Sequence, residues 1–323
     1  MNVKEIVAAI KADKPEIKSV LFVGCGASMS EQYPAKYFMD RHARTLRASI
    51  HTANEFNYST PVSCDETAIV VTCSLSGNTP ETVVASKKAM ELGATVVSVT
   101  MNPDSPLAKA SNYQIIHGFY ESYAAKMEKM GNILAFACEV LNEYEGYADY
   151  DKMQAGFTKI YDLINNSIDA VVPRAQEFAE KYANVETPIY VMSSGAAQYS
   201  SYSFSMFLLM EMQWIPASHF HCGEFFHGPF ELVEKDVPYL LFMSDGPTRP
   251  MDSRVLTFLQ RFDAMTTVVD AKDYGLSSLI DKSVVEFFNP MLITGILRVY
   301  AEELAKIRKH PLTTRRYMWK LEY

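Results

Sequence analysis

The densest group of reactive side chains in the sequence lies between residues 211 and 227. Two carboxylates, Glu211 and Glu224, fall in this stretch together with His227, and the residues around them are mostly aromatic or apolar. An apolar setting moves the pKa of a carboxyl or imidazole group toward values that are useful in proton transfer. The stretch therefore predicts an acid–base site. The alternative is a buried helix whose polar residues face solvent.

The same stretch also contains the donor types of a metal site. Glu224 and His227 are three residues apart, which places two donors on one face of a helix. Three further donors precede them, namely His219, His221 and Cys222. Histidine, cysteine and carboxylate groups are common ligands of transition metals. Because the acid–base chemistry needs neither a metal nor an organic cofactor, we expect no metal and no cofactor in this protein.

A second group of polar residues follows two predicted strands near the amino terminus. The strand at 20–23 runs into Gly26 and Ser28, and the strand at 68–72 runs into a loop rich in hydroxyl groups. The hydroxyl residues of this loop include Ser74, Ser76 and Thr79. A strand, small residues and then a helix direct backbone N–H groups toward an anion. Without a P-loop lysine, the loop suits a phosphate monoester. The alternative is a helix-capping cluster with no ligand.

The pattern of strands and glycine loops repeats along the chain. Gly195 lies 169 residues after Gly26, and Gly246 lies 169 residues after Gly77. The common offset indicates a tandem duplication. Strands that alternate with helices predict parallel sheets that bind ligands at the carboxyl ends of their strands. The second copy has Asp245 in its loop, and a carboxylate repels phosphate, so we expect the phosphate in the first copy.

Composition restricts the class of protein. The 323 residues are 48% hydrophobic, and a chain of this length is expected to form two domains or a duplicated domain. The net charge is −8 and no block of basic residues occurs, which argues against nucleic acid or an anionic membrane as a partner. No apolar run approaches the ~20 residues that span a bilayer. The residues after Met1 form no apolar stretch of the signal-peptide type, so we expect no secretory signal. The five scattered cysteines suit reduced thiols, so we expect a cytoplasmic protein.

Three motifs resemble those of the sugar isomerase (SIS) superfamily and occur in its order. They are Cys25-Gly26-Ala27-Ser28, Ser74-x-Ser76-Gly77-x-Thr79 and Gly223-Glu224-Phe225-x-His227-Gly228-Pro229. The duplicated layout is similar to the isomerase half of glucosamine-6-phosphate synthase. Within the superfamily the chain is most similar to the fructosamine-6-phosphate deglycases. Its tail, from His310 to Tyr323, resembles the tail of bacterial deglycases that act on the aspartate conjugate.

The resemblance implies an α/β fold of two tandem SIS domains, each with a flavodoxin-like five-stranded parallel sheet flanked by helices. We expect the first domain, with the phosphate-binding loops, at residues 15–145 and a helical linker at 146–185. The second domain, with the catalytic glutamate and histidine, is expected at 186–305, followed by a tail at 306–323. The resemblance also implies a homodimer or a larger assembly with shared active sites.

The resemblance further implies roles for particular residues. The catalytic carboxylate of the family lies sixteen residues before the histidine of its His-Gly-Pro motif, which gives Glu211 as the base and His227 as the group that opens the sugar ring. Glu224 is expected to orient His227, to cap a helix or to bind the sugar. The implied phosphate-binding residues are Gly26, Ser28, Ser74, Ser76 and Thr79.

These roles imply a deglycase that uses water to cleave a fructose–amino acid 6-phosphate to glucose 6-phosphate and a free amino acid. The aspartate conjugate is the expected substrate. Arg315 and Arg316 would meet its carboxylates, and the alternative is a solvated charge cluster. Leu208 stands where the synthase has a lysine, so glucosamine 6-phosphate synthesis is not expected. Two other functions fit the same fold, an aldose–ketose isomerase of phosphosugars and a phosphosugar-binding regulator without catalytic activity.

Overall fold

The computed structural model describes residues 1–322 of the chain. The chain divides into two compact units, of which the first is Met1–Thr158 and the second begins at Lys159. The division falls within a long helix, Tyr150–Tyr182, which occupies most of the predicted linker. The finer domain limits expected from the sequence stay a prediction.

The first unit contains one parallel sheet of five strands. The strands are β1 (Ser19–Gly24), β2 (Arg47–Thr52), β3 (Ala68–Cys73), β4 (Thr95–Thr100) and β5 (Tyr113–Ile116). Their order in the sheet is β2-β1-β3-β4-β5, which is the flavodoxin-like order and confirms the prediction for this unit. The helices are α1 (Val3–Asp13), α2 (Ala27–Ser30), α3 (Tyr33–His42), α4 (Ala53–Tyr58), α5 (Pro80–Glu91), α6 (Pro106–Lys109) and α7 (Glu128–Glu145), with a 3-10 turn at Ala125–Met127. The unit ends within α8 (Tyr150–Tyr182), whose remaining residues belong to the second unit.

The central strands of this sheet determine where its loops meet. Every residue of β1, β3 and β4 is buried, as expected for strands of a parallel sheet that is covered on both faces. Strands β1 and β3 are neighbours, and their register places Gly24 beside Cys73. The loops that follow these two residues therefore leave the same edge of the sheet. This edge is the point where the strand order reverses, which is where open parallel sheets bind ligands.

One predicted helix of the first unit is interrupted. The sequence predicts a helix from the glycine loop to about residue 44, but the structure has two helices, α2 and α3, separated at Glu31 and Gln32. Pro34 is the second residue of α3. A proline has no N–H group to donate and is favoured in the first turn of a helix, so a new helix begins here.

The second unit contains a parallel sheet of four strands. They are β6 (Ile189–Ser193), β7 (Ala217–His221), β8 (Pro238–Met243) and β9 (Met265–Asp270), in the order β7-β6-β8-β9. The helices are α9 (Gln198–Ser203), a π-helical segment (Phe204–Glu211), α10 (Arg249–Arg261), α11 (Leu276–Leu279) and α12 (Asn289–Arg308). Five 3-10 turns complete the unit, at Gly195–Ala197, Phe225–His227, Pro229–Leu232, Ala271–Tyr274 and Val285–Phe288.

The prediction of a five-stranded sheet in the second unit is wrong for the residues that the structure describes. At the offset of the duplication, the counterpart of β5 is residues 282–285, and these form a turn. The carboxylate of Asp281 accepts hydrogen bonds from the N–H and the hydroxyl group of Ser283, both at 2.9 Å, and the N–H of Val284 donates to the Asp281 carbonyl at 3.0 Å. These local bonds occupy groups that a strand would need for pairing.

The helices give no sign of a membrane segment. Within residues 1–322, none combines the length and the apolar character that a membrane crossing requires.

Candidate active site

The hydroxyl-rich loop of the first unit connects β3 to α5. The hydroxyl groups of Ser74 and Thr79 hydrogen bond to each other at 2.9 Å. Gly77 has a φ of 71°, and a Cβ atom there would collide with the side chain of Ser105, so the turn requires glycine. Ser74 is buried, whereas Ser76 is exposed. The loop is therefore a fixed turn that carries both buried and accessible hydroxyl groups.

The glycine loop after β1 adds a hydroxyl group and a positive charge at the same edge of the sheet. Gly26, with a φ of 56°, precedes α2, and Ser28 is buried within that helix. The Nζ of Lys129 donates to the hydroxyl group of Ser28 at 3.2 Å and lies 3.1 Å from a carboxylate oxygen of Glu31. The Lys129 side chain is only 3% exposed. The buried ion pair of Lys129 and Glu31 thus lies next to Ser28, a residue predicted to bind phosphate.

Lys129 is a candidate site residue that the sequence prediction missed. It lies in α7, 101 residues after Ser28, and belongs to none of the motifs. Burial lowers its pKa, but the Glu31 carboxylate opposes this, so the net shift is upward and the ammonium group stays charged. The only local signal is that apolar residues, Ile133 and Phe136, follow it at helical spacing, which predicts that Lys129 lies on the buried face of its helix.

The corresponding loops of the second unit enclose a carboxylate of their own. Ser244 and Thr248 hydrogen bond at 3.0 Å, as the matching pair of the first unit does. Asp252 accepts hydrogen bonds from the hydroxyl groups of Ser194 at 2.5 Å and Ser244 at 2.8 Å, and from the Ser244 N–H at 3.0 Å. Asp252 is fully buried, and burial raises its pKa although the serine hydrogen bonds work against this. The hydrogen-bond donors of these loops are therefore already paired with a carboxyl group of the protein itself.

Asp245, the carboxylate that we expected to repel phosphate from this loop, has other contacts. Its N–H donates to the side chain of Asn289 at 2.7 Å, and its carbonyl accepts from the same side chain at 2.8 Å. Its carboxylate lies 3.8 Å from the Nζ of Lys272. The group that occupies the hydroxyl cluster of the second unit is therefore Asp252.

Glu211 lies at an unusual helix end. It is the last residue of the π-helical segment, and π-helical turns are rare and frequent at functional sites. The helix ends near Trp214, whose φ of 56° lies in the left-handed region that favours glycine. The N–H of Ile215 donates to the carbonyl of Leu209 at 3.0 Å and closes this turn. A bulky residue in this conformation is strained, and such strain is concentrated at functional sites.

The carboxy-terminal tail packs against this helix end. The Nη2 of Arg315 lies 2.7 Å from the Oε1 of Glu211. The Arg316 guanidinium lies 4.2 Å from the centre of the Trp214 ring, and that of Arg315 lies 5.3 Å from the centre of the Trp319 ring. The tail and the helix end line an open cavity of about 470 Å³. It is lined by Met210, Glu211, Trp214, Arg315, Arg316, Tyr317 and Met318.

Two opposing effects act on the pKa of Glu211. Burial raises it, and the neighbouring guanidinium groups of Arg315 and Arg298 lower it, with a net shift upward. The Glu211 side chain is 21% exposed, so a small molecule in the cavity has access to it. A carboxylate with a raised pKa is a stronger base than an ordinary one, which fits proton abstraction.

His227 and Glu224 lie in an exposed turn of the same unit. Phe225 between them is fully buried in the apolar core, whereas His227 and Glu224 are exposed. The N–H of His227 donates to the Glu224 carbonyl at 2.9 Å, and the Glu224 side chain does not cap the turn. Among residues 1–322, the His227 ring makes no hydrogen bond and no ion pair, so the structure does not connect it to Glu211 within one chain.

The alternative of a metal site in this stretch finds no geometric support. Among the residues described, no group of three or more histidine, cysteine, aspartate or glutamate side chains is arranged to hold a metal ion. The ring of His221 instead accepts a hydrogen bond from the N–H of Gly223 at 2.9 Å, and Cys222 is buried in the core.

Comparison with known proteins identifies the family. Residues 16–136 match the model of the SIS domain family. Fructosamine deglycase FrlB of Bacillus subtilis (strain 168) is 37% identical over 307 residues, which cover 95% of this chain and 93% of that protein. Fructoselysine 6-phosphate deglycase of Escherichia coli (strain K12) is 24% identical over 259 residues, which cover 80% of this chain and 74% of that protein.

A solved structure gives the same result. A protein from Salmonella typhimurium LT2, named as a phosphosugar isomerase, matches with a TM-score of 0.96 at 38% identity and covers 100% of this chain and 96% of its own. The chain belongs to the SIS domain family, as its three motifs predict. It is an enzyme, since the deglycases that it resembles over most of their length are enzymes.

Proposed function

We propose that the protein is a deglycase that hydrolyses fructose–amino acid 6-phosphates to glucose 6-phosphate and a free amino acid. The observation that carries the proposal is Glu211, a partly buried carboxylate with a raised pKa beside a cavity, in a chain that is 37% identical to a fructosamine deglycase. The aspartate conjugate is the first substrate to test, because Arg315 and Arg316 line that cavity.

In this proposal the first unit binds the 6-phosphate group. Its ligands are the backbone at Gly26 and the hydroxyl groups of Ser28, Ser74, Ser76 and Thr79. The two loops leave the edge of the sheet where ligands bind in open parallel sheets, and Lys129 supplies a positive charge. Binding energy from a phosphate remote from C1 holds the open-chain sugar in place for reaction.

Proton transfers by two side chains then cleave the conjugate. His227 moves a proton between the anomeric oxygen and the ring oxygen, which opens the ring. Glu211 removes a proton from C1, and the electron pair forms a C1–C2 double bond while the C2 carbonyl oxygen takes a proton, giving an enaminol. A proton then adds to C2 and the N–H proton is lost, which leaves an imine between C1 and the amino acid nitrogen. Water adds to C1, the C1–N bond breaks, and glucose 6-phosphate and the amino acid are released.

We further infer a homodimer in which His227 acts in the active site of the neighbouring subunit. The supporting observation is that His227 is exposed and that its ring makes no hydrogen bond and no ion pair within residues 1–322. In this proposal Glu224, which is exposed beside it, orients His227 or binds the sugar only in the assembled dimer. The route needs no metal and no organic cofactor, because the C2 carbonyl takes up the charge that develops when the C1 proton leaves.

The test is release of glucose 6-phosphate from a panel of fructosamine 6-phosphates, measured with a coupled dehydrogenase assay. Glu211→Gln keeps the size of the side chain and removes the base, so we expect turnover to fall about 10²- to 10⁴-fold with substrate binding retained. Glu303→Gln is the matched control, since Glu303 is also a largely buried carboxylate of this unit but pairs with Lys306 outside the cavity. Wild-type turnover by Glu211→Gln contradicts its role as the base. Absence of glucose 6-phosphate from every conjugate contradicts the deglycase function.

A phosphosugar isomerase is the second candidate, and the name of the Salmonella typhimurium protein at 38% identity favours it. The same acid and base would move a proton between C1 and C2 of a ketose phosphate. Interconversion of fructose 6-phosphate and glucose 6-phosphate, at a rate above that of any conjugate, would support this function over the deglycase.

A further inference from the structure

We propose that Arg315 recognises the carboxylate of the amino acid part of the substrate, and that this carboxylate releases Glu211 from its ion pair so that Glu211 acts as the base. The inference rests on the proposed function and names the substrate group that the cavity selects. That group is a free carboxylate attached close to the C1 nitrogen.

The first observation is that Arg315 is buried but incompletely hydrogen-bonded. Its residue exposure is 9%, and its Nη1 donates to the carbonyl groups of Leu312 at 2.8 Å and Thr314 at 2.9 Å, which orient the guanidinium group. Its Nε is buried and has no acceptor among residues 1–322. Buried donors nearly always have an acceptor, so this one indicates a place for a ligand oxygen.

The second observation is that Glu211 occupies only half of a two-pronged donor. The Nε and Nη2 groups of an arginine form a fork that matches the two oxygens of a carboxylate. In the structure Nη2 is paired with Glu211 at 2.7 Å, and Nε is unpaired. A substrate carboxylate that binds both nitrogens replaces one charge-assisted hydrogen bond with two. The exchange therefore favours the substrate over Glu211.

The third observation is the cavity beside this pair. Its volume of about 470 Å³ is in the range of small-molecule sites, and its walls combine apolar side chains with two guanidinium groups. Arg316 stacks on Trp214 at the same cavity, so a second cation is present. A small amino acid with one or two carboxylates fits this chemistry, and an uncharged amine does not.

The exchange has a consequence for the strength of the base. Two charged groups face Glu211, namely Arg315 from the tail and Arg298 from α12, and both lower its pKa against the effect of burial. When Arg315 turns to the substrate carboxylate, its effect on Glu211 is neutralised and burial dominates. Glu211 then becomes a stronger base while a carboxylate is bound. A substrate without that carboxylate leaves the ion pair between Arg315 and Glu211 intact.

Two conjugates that differ only in the carboxylate provide the test. The 6-phosphofructose conjugates of alanine and of ethylamine are compared by their release of glucose 6-phosphate. For the wild type we expect kcat/KM to be about 10²-fold higher with the alanine conjugate, as for removal of one partner of a buried charge pair. In Arg315→Met, kcat/KM for the alanine conjugate should fall to the level of the ethylamine conjugate, and kcat/KM for the ethylamine conjugate should rise because Glu211 is no longer paired with Arg315.

A second readout separates this role from a structural one. In Arg315→Met the acid limb of kcat/KM for the ethylamine conjugate should move to higher pH, because the cation that lowers the pKa of Glu211 is gone. Arg315→Lys, which keeps the charge but lacks the fork, should discriminate between the conjugates to an intermediate degree. Arg174→Met is the matched control, since it removes a 2.6 Å pair with Asp273 that is about half exposed and outside the cavity.

The inference is overturned if Arg315→Met slows both conjugates by the same factor, or if the wild type does not discriminate between them. If Arg315→Met does not fold, the comparison of the two conjugates on the wild type decides. Failure of the wild type to release glucose 6-phosphate from either conjugate, or from any other fructosamine 6-phosphate, overturns the proposed function and this inference with it. Release from other conjugates with no preference for a carboxylate overturns the inference alone.

Discussion

The buried charge beside the phosphate loop gives a prediction that can be worked out from distances. The Nζ of Lys129 donates to the Ser28 hydroxyl group at 3.2 Å, and its side chain is 3% exposed. A phosphate oxygen bound to the same hydroxyl group lies one hydrogen bond further away, about 5 Å from Nζ. Lys129→Met keeps the apolar stem of the side chain and removes the charge. We therefore expect its effect to be mainly electrostatic.

The size of the effect follows from Coulomb's law. Two unit charges about 5 Å apart interact by about 3 kcal/mol at an effective dielectric constant of about 20. Water and dissolved salt screen part of this interaction, so we expect Lys129→Met to weaken the binding of glucose 6-phosphate by about 10- to 100-fold. Binding of glucose, which has no phosphate, should not change. Titration calorimetry of both ligands measures the two affinities.

Glu31, the ion-pair partner of Lys129, provides the control. Lys129→Met alone removes one partner of a buried ion pair, which costs about 3–5 kcal/mol of stability, so affinities are compared at a temperature where all variants are folded. Glu31→Gln should tighten glucose 6-phosphate binding, and the double variant should lie between Lys129→Met and Glu31→Gln. We expect this order because a more positive net charge at positions 31 and 129 binds the phosphate group more tightly. Equal affinity for glucose 6-phosphate in all four proteins would refute the reasoning.

A buried imidazole and the proposed shared site give one further prediction each. Burial lowers the pKa of His117 to about 4, so this histidine stabilises the fold above its unfolded pKa of about 6.5 and loses that contribution as the pH falls from about 6.5 to 4. The loss is about 2 kcal/mol at pH 5, and denaturant unfolding of His117→Asn should show a pH dependence that is weaker by this amount; an unchanged dependence would rule His117 out. For the shared site, mixing inactive Glu211→Ala and His227→Ala dimers with subunit exchange should restore about a quarter of wild-type activity, since half of the dimers carry one intact site. No recovery would show that both groups act within one chain.

The parts of the fold that could be predicted are those encoded in short stretches. The continuous apolar runs of β1 and β3 predict buried parallel strands, and the common offset of the glycine loops predicts the second unit. The prediction of a fifth strand in the second sheet is wrong because Asp281 forms hydrogen bonds with its neighbours, and such local hydrogen bonds compete with strand pairing. We predicted this strand by analogy with the first copy, and the analogy does not take these local hydrogen bonds into account.

The site could be predicted only where its residues lie in motifs. The spacing of Glu211 and His227 and the hydroxyl groups of the loop are visible in the sequence. The contacts of Lys129 with Ser28 and of Asp252 with Ser194 join residues 101 and 58 positions apart, and no local pattern shows which helix faces which loop. The same holds for Arg315. Its position in a basic tail predicts a positive charge, but the sequence does not show that the charge pairs with Glu211. Tertiary packing decides these contacts.

One difference between the two copies is the type of residue in the first turn of the helix that follows the hydroxyl loop. Thr82 and Asp252 each lie two residues after the proline in the first turn of α5 or α10. In the first unit Thr82 donates to the thiol of Cys25 at 3.9 Å, and in the second unit Asp252 accepts a hydrogen bond from the hydroxyl group of Ser194. A hydroxyl group leaves the loops able to accept an anion, whereas a carboxylate satisfies them from within. Under the proposed function, this difference is one reason why the phosphate binds in the first unit, although both units have a hydrogen-bonded serine–threonine pair in this loop.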